Sequence, residues 1–165
     1  MGEFTIWCDG SYRQKHNLLG IAWLSRALPD RELLERALTL PKIEDAHNHG
    51  SDIAEYWAFA YAVGRLPAGS KVRVHMDAQN VMDCLAKGSL GKKVPRELSQ
   101  AFDEALAAKE RMAQIEFVKA SDKNNENMGR AHALSQLMST PPKEEKRKKP
   151  NAHQDSQRPS SPRGS

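Results

Sequence analysis

The sequence predicts an α/β domain: a mixed five-stranded sheet with helices packed on it, in the order β-β-β-α-β-α-α-β-α. Three observations carry this. Apolar and β-branched runs at Phe4–Trp7 and Leu18–Leu24, separated by a polar stretch, read as buried strands. Lys71-Val72-Arg73-Val74-His75-Met76 alternates with the period of a strand. Apolar residues recur at helical spacing in the segments near 53–64, 98–106 and 131–138. Three strands joined by short turns make an antiparallel meander, and strands separated by helices are joined by crossovers.

Each element has its own signal. The first strand runs over about 3–9 and ends in the turn Asp9-Gly10-Ser11, followed by a polar loop from Tyr12 to Asn17. Leu18 to Leu24 is the second strand, and Leu28-Pro29-Asp30-Arg31 the turn after it. Glu32 to Leu40 favours helix by propensity, but a short turn after a strand favours a hairpin partner, and a third strand is expected. Pro41 to Gly50 is a polar loop whose His47 and His49 read as solvated histidines in preference to a metal pair. Ser51 or Asp52 caps a helix to about Leu66, with Ile53, Trp57, Ala60 and Val63 or Gly64 as its buried stripe. Asp52-x-x-Glu55 fits a capping box, which is one reading of Glu55.

After the turn Pro67–Ser70, the fourth strand ends at Asp77. A short helix carrying Val81, Met82 and Leu85 closes at Gly88. Pro95 opens a longer helix to about Met112, with a stripe of Leu98, Phe102, Ala105 and Leu106. Ile115 to Val118 is the fifth strand, Ser121 to Asn127 a polar loop, and Met128 to about Ser139 a last helix with Ala131, Leu134 and Met138 inward.

Composition bounds the function. A chain of 165 residues suffices for one domain with a core. A strand is expected from the first residues with no basic-then-apolar leader before it, and no apolar run approaches the roughly 18 residues of a membrane span. Cys8 and Cys84 are too few for a disulfide framework and lack metal-site spacing, so a reducing, cytoplasmic setting is expected. The formal net charge is +4, and residues 142–165 hold 7 of the 25 basic residues against 3 of the 21 acidic ones. The expected organisation is a domain over 1–140 and a disordered, basic, Pro- and Ser-rich tail over 141–165. In that tail, Lys146-Arg147-Lys148-Lys149 either holds phosphates non-specifically or merely aids solubility.

An Asp at the end of a core strand is costly unless something positive lies over it. Asp9 is therefore either a turn residue or part of a charged site. Two strand ends and one helix turn can bring Asp9, Glu55 and Asp77 together. Converging carboxylates repel unless divalent cations lie between them, and oxygen ligands select Mg²⁺ or Mn²⁺. Two such ions about 4 Å apart would activate a water and stabilise a leaving 3′ oxygen during attack on a phosphodiester.

Over about residues 3–139 the chain resembles type 1 ribonuclease H. Asp9-Gly10-Ser11 ends the first strand, Glu55 lies in the first helix, and Asp77 ends the fourth strand in Met76-Asp77-Ala78-Gln79 before the helical run Val81-Met82-Asp83-Cys84-Leu85. Ile115-Glu116-Phe117-Val118-Lys119 resembles the family's fifth strand, and Gly129-Arg130-Ala131-His132-Ala133-Leu134 its last helix. The resemblance implies a ribonuclease H-like fold and a two-metal site of Mg²⁺ or Mn²⁺ on Asp9, Glu55 and Asp77, with Asp9 bridging both ions. His132 stands where the family most often has a fourth carboxylate, either as a variant metal ligand or as a helix-edge histidine. The preceding loop, Ser121 to Asn125, lacks the histidine the family carries there. The basic handle of some members is also missing; Lys87, Lys92, Lys93 and the tail are its candidate substitutes.

The implied substrate is an RNA–DNA hybrid, read through its 2′-hydroxyls in a wide minor groove. Gln79 matches a groove-contacting Gln of the family, Gly10 and Ser11 offer backbone contacts, and Tyr12 is expected to be exposed. Ser51 or Asp52 occupies the place of a family Asn. Three functions stay open at this point: a monomeric endonuclease cutting the RNA strand of hybrids, a nuclease of the same fold acting on branched DNA, and a non-catalytic nucleic-acid binder.

Overall fold

A computed structural model describes residues 2–29, 32–41, 48–91 and 93–142. The elements are β1 (Glu3–Arg13), β2 (Leu18–Leu28), β3 (Leu33–Leu40), α1 (Gly50–Gly64), β4 (Lys71–Met76), α2 (Gln79–Lys87), α3 (Arg96–Glu110), β5 (Gln114–Lys119) and α4 (Glu126–Met138). The sheet order is β3-β2-β1-β4-β5. Pairing is antiparallel from β3 to β1 and parallel from β1 to β5. The mixed sheet and element order are those the periodicities predict. Among the described residues, no helix is long and apolar enough to cross a membrane. His47, Lys92 and the tail beyond Pro142 lie outside the described residues.

The two faces of the sheet follow from the period-2 alternation of β1. Ile6 and Cys8 join Ile53, Phe59, Val63, Val74, Met76 and Phe102 in the main core, under α1 and α3. Trp7 and Leu24 meet Met128 and Ala131 of α4 on the opposite face. Trp7 and Trp23 are core residues.

The structure departs from expectation at two places. Asp9-Gly10-Ser11 is not a turn: β1 runs on to Arg13, paired residue by residue with β2 as far as Leu18. The ladder hydrogen bonds override local turn chemistry, and the reversal moves to residues 14–17, where Asn17 takes the left-handed conformation at φ 50°. Helix α1 starts at Gly50 behind His49, which makes no side-chain cap bond, so neither Ser51 nor Asp52 caps it and no capping box forms. Its buried side is Ile53, Tyr56, Phe59 and Val63, with Trp57 and Ala60 half-buried on the flank. Ala54, Ala58 and Ala62 are also buried, and these small side chains let the helix settle close to the sheet. Along α3, Leu106 is half-buried; on α4, Leu134 and Met138 are half-buried while Met128, Ala131 and Ser135 are fully buried.

Two glycines fix the distance of the helices. A Cβ on Gly10 would lie 2.3 Å from the carbonyl carbon of Ala54 and 2.6 Å from the Glu55 nitrogen. One on Gly20 would lie 2.2 Å from the Ser135 oxygen and 2.6 Å from the Ser139 nitrogen. These are backbone atoms that cannot swing aside, so α1 on one face and α4 on the other touch the sheet where the strands lack side chains. Helix α4 is further tied to β3 by the paired Arg130–Glu35 bonds of 2.9 and 3.1 Å and by the Thr39 hydroxyl donating to the Met138 carbonyl at 2.6 Å. Gly20→Ala is expected to lower the unfolding free energy by about 1–3 kcal/mol. A urea titration checks this, reading a lower midpoint at unchanged slope.

Candidate active site

The parallel β1–β4 pairing ends at Trp7–His75, while the antiparallel β1–β2 pairing continues to Arg13. From Cys8 onward one edge of β1 is therefore left without a ladder among the described residues. Asp9 sits on this stretch, Asp77 follows the last residue of β4, and the early part of α1 crosses over Gly10.

Asp9 is 5% exposed. Its Oδ2 accepts a hydrogen bond from Ser135 Oγ at 2.6 Å and faces His132 Nδ1 at 3.1 Å. Glu55 is 9% exposed, and its carboxyl lies against the Asp9 carboxyl and the Gly10 backbone N–H closely enough to be shifted by both. One of its oxygens, Oε1, is buried with no hydrogen-bond partner among the described residues. Burial is the largest cause that pushes the Glu55 carboxyl well above its ordinary value. The neighbouring charges of Asp9 and Asp77 add to the rise, and the Gly10 N–H opposes it. Asp9 is raised too, chiefly by burial, with Ser135, His132 and Glu55 pulling it down. The two carboxyls thus behave as one unit that holds a proton more readily than either does in water. Burial also raises the Cys8 thiol, with Glu55 and Asp9 adding to the effect.

The other residues singled out by the sequence fall around this pair. Asp77 is half-exposed and engaged by Lys119, whose Nζ lies 3.3 Å from Asp77 Oδ1 and also donates to the Asp77 carbonyl. His132 is 40% exposed, and its second ring nitrogen, Nε2, lies 3.9 Å from Asp122 Oδ2. Gln79 is exposed and donates to Asp83 at 2.9 Å; Asp52 accepts from Asn80 at 3.1 Å, tying α1 to α2; Ser51 is exposed. Ser11 Oγ pairs with Ser139 Oγ at 3.1 Å. Tyr12 corrects an expectation. It is half-buried, its ring fills the space over Gly50, and its hydroxyl donates to Asn17 Oδ1 at 3.1 Å. The cause is the extension of β1, which carries Tyr12 onto the start of α1 instead of into a loop.

Two neighbours of the site were not legible beforehand. Ser135 stands on the buried side of α4, where an apolar residue would be expected, and that misplaced polarity is its signal in the sequence. Lys119 has none, because it reaches Asp77 only through the Met76–Lys119 register of β4 and β5.

Among the described residues, no three His, Cys, Asp or Glu side chains form a metal-holding group in this arrangement. Asp77 is turned to Lys119 and His132 to Asp9. The donor chemistry nevertheless fits a hard divalent cation: two buried carboxyls with raised proton affinity, an unpartnered carboxyl oxygen, and a third carboxylate close enough to be felt by Glu55.

No protein-family model matches the sequence, and no curated protein matches it. Solved structures do match the fold. The N-terminal RNase H domain of a Mycobacterium tuberculosis protein superposes with a TM-score of 0.66 at 19% identity, covering 84% of this chain and 94% of that one. RNase H1 of the halophilic archaeon Halobacterium salinarum NRC-1 gives 0.63 at 17% identity, covering 83% and 97%. LC11-RNase H1, solved in complex with an RNA/DNA hybrid, gives 0.61 at 22% identity, covering 81% and 94%. The chain therefore has a ribonuclease H-like fold.

The buried pair gives stability a definite pH dependence. Asp9 and Glu55 have folded pKa values above their ordinary values of 3.8 and 4.5. The folded state consequently binds more protons than the unfolded one between those values, and stability falls as pH rises through that window. In the metal-free protein, the unfolding midpoint is expected to be higher near roughly pH 5 than at neutral pH as far as this pair decides it. Glu55→Gln should flatten the dependence and add about 1–3 kcal/mol at neutral pH. Denaturant titrations across the pH range check both.

Proposed function

We propose that this chain is a metal-dependent endonuclease that hydrolyses the RNA strand of RNA–DNA hybrids, leaving 5′-phosphate and 3′-hydroxyl ends. The observation that carries the reading is the buried Asp9–Glu55 pair with the unpartnered Glu55 oxygen, set in a ribonuclease H-like fold. An arrangement that raises the proton affinity of two carboxyls and leaves an acceptor unsatisfied is poised for a cation. The hybrid bound in the LC11-RNase H1 structure supports the substrate class.

Asp9, Glu55 and Asp77 would hold Mg²⁺ or Mn²⁺, two ions per site, with His132 as a variant fourth ligand through Nε2, the nitrogen not turned toward Asp9. When bound, the ions supply the charge that activates water and stabilises the leaving oxygen. The chain's own residues do the rest. Ser135 orients the Asp9 carboxylate, the Gly10 N–H faces Glu55, and Asp77 would leave Lys119 to join them. Lys119 Nζ, half-exposed beside the site, is then available to a substrate phosphate. Gln79, Ser51 and Asp52 stand at the starts of α2 and α1, on the side of the site where 2′-hydroxyls of a docked RNA strand would be read; the backbone of Gly10 and Ser11 lines the same edge. The unit over 1–140 would act as a monomer, with the basic tail adding phosphate affinity.

The test is cleavage of a labelled RNA–DNA hybrid in Mg²⁺ or Mn²⁺, beside an RNA duplex, a DNA duplex and a four-way junction. Hybrid-only cleavage is expected, falling to background in Asp9→Asn and by about 10–100-fold in His132→Ala. Cleavage of the junction instead would reassign the target within the same fold. Tight hybrid binding without cutting in either metal would make the chain a binder.

A further inference from the structure

The underside of the site is a serine. Ser135 is fully buried on α4, and its hydroxyl lies 2.6 Å from Asp9 Oδ2 and 2.9 Å from the His132 carbonyl one turn back. A hydroxyl has one proton to donate, and the shorter contact, to a carboxylate, is the stronger claim on it. The carbonyl contact is the ordinary fallback of a serine in a helix. Both neighbours of Asp9 from α4, Ser135 Oγ and His132 Nδ1, meet the same oxygen, Oδ2. The serine hydroxyl and the histidine ring nitrogen, converging on one oxygen, fix the rotation of the carboxylate and leave Oδ1 out of both contacts.

This grip depends on how near α4 stands to the sheet. Gly20 has no side chain, and that is what lets the Ser135 backbone come down on β2 beside Ser11, the strand neighbour of Gly20. Thr39 and Glu35 tie the helix to β3 at positions that do not reach Asp9. The Asp9 contact is therefore separable from the docking of α4 in general.

From this geometry we infer that Ser135 is a positioning residue of the site: it holds Asp9 by Oδ2 so that the remaining oxygen is presented, in a fixed direction, to the divalent cation. The inference rests on the cation-dependent reading above. It adds a residue that acts through Asp9 and touches neither substrate nor ion. Its loss removes orientation without removing any ligand, so the cation should bind more weakly and turnover should slow, while affinity for the nucleic acid stays as it was.

The experiment compares the full chain with Ser135→Ala, Ser135→Cys and Thr39→Val. Four quantities are read: the thermal unfolding midpoint, Mn²⁺ affinity without substrate by calorimetry, and kcat and KM on the hybrid. Ser135→Ala is expected to weaken Mn²⁺ binding and lower kcat by about 10–100-fold each, with KM for the hybrid within about twofold. Ser135→Cys, which fills the same space with a poorer donor, should fall between it and the wild type and serves in its place if the alanine variant does not fold. Thr39→Val loosens α4 without touching Asp9 and should leave Mn²⁺ affinity and kcat unchanged. Wild-type values in a folded Ser135→Ala or Ser135→Cys protein overturn the inference, as do equal losses in Thr39→Val, which would make Ser135 merely structural. A wild-type chain that binds Mn²⁺ but does not cut the hybrid sinks the nuclease reading alone, and the Mn²⁺ measurements then decide on Ser135. A wild-type chain that binds no Mn²⁺ overturns both.

Discussion

Two carboxyl groups taken out of water side by side are costly, and the strands and helices around them are arranged to hold them there. Asp9 and Glu55 are both buried, burial raises the proton affinity of each, and among the described residues the Ser135 hydroxyl and the His132 ring meet Asp9 while the Gly10 N–H faces Glu55. A protein under pressure for stability alone would replace such a pair with apolar side chains of the same size. Its presence supports the proposed cation site, which would be under-satisfied with the cation away.

The sheet makes room for the pair by a mismatch of lengths. β1 and β2 run on together for 11 residues each, whereas β4 has only 6, so β1 outlasts its parallel neighbour. Past that point one edge of β1 faces the gap in which β4 delivers Asp77 and α1 delivers Glu55. Ligand sites in α/β proteins gather where parallel strands end and the chain diverges. Here the divergence lies between an antiparallel hairpin that continues and a parallel strand that stops. Gly10 and Gly20 complete the arrangement, since each allows a helix backbone to approach one face of the sheet closely enough for its side chains to reach the same carboxylate unit.

What the sequence makes legible is whatever has a period. The alternation in Lys71–Met76 and the stripes of α3 and α4 place strands and helices in the right order, and that order carries Asp9, Glu55, Asp77 and His132 toward one end of the sheet. What it conceals is decided by partners far along the chain. Asp9-Gly10-Ser11 has the local chemistry of a turn, yet β2 offers it a full ladder, and Tyr12 goes to the core side as a result. The expected stripe of α1 keeps Ile53 and Val63, but Tyr56, Phe59 and the alanines beside them take the packed side from Trp57 and Ala60. The Asp52-x-x-Glu55 spacing suggests a cap, but Asp52 goes to Asn80 and Glu55 to Asp9 and Gly10. Lys119 and Ser135 enter the site only through strand register and helix approach, which no local pattern encodes.

The claim at the centre is that the buried carboxyl pair is completed by a divalent cation. Titrating Mn²⁺ into the metal-free protein while following its thermal unfolding tests this without assuming any substrate. A ligand that binds only the folded state stabilises it by RT ln(1 + [L]/Kd), about 2.7 kcal/mol at a hundredfold excess over Kd. The midpoint should climb with Mn²⁺ in the wild type and stay level in Asp9→Asn. A midpoint that ignores Mn²⁺, or that climbs equally in both proteins, would contradict the account.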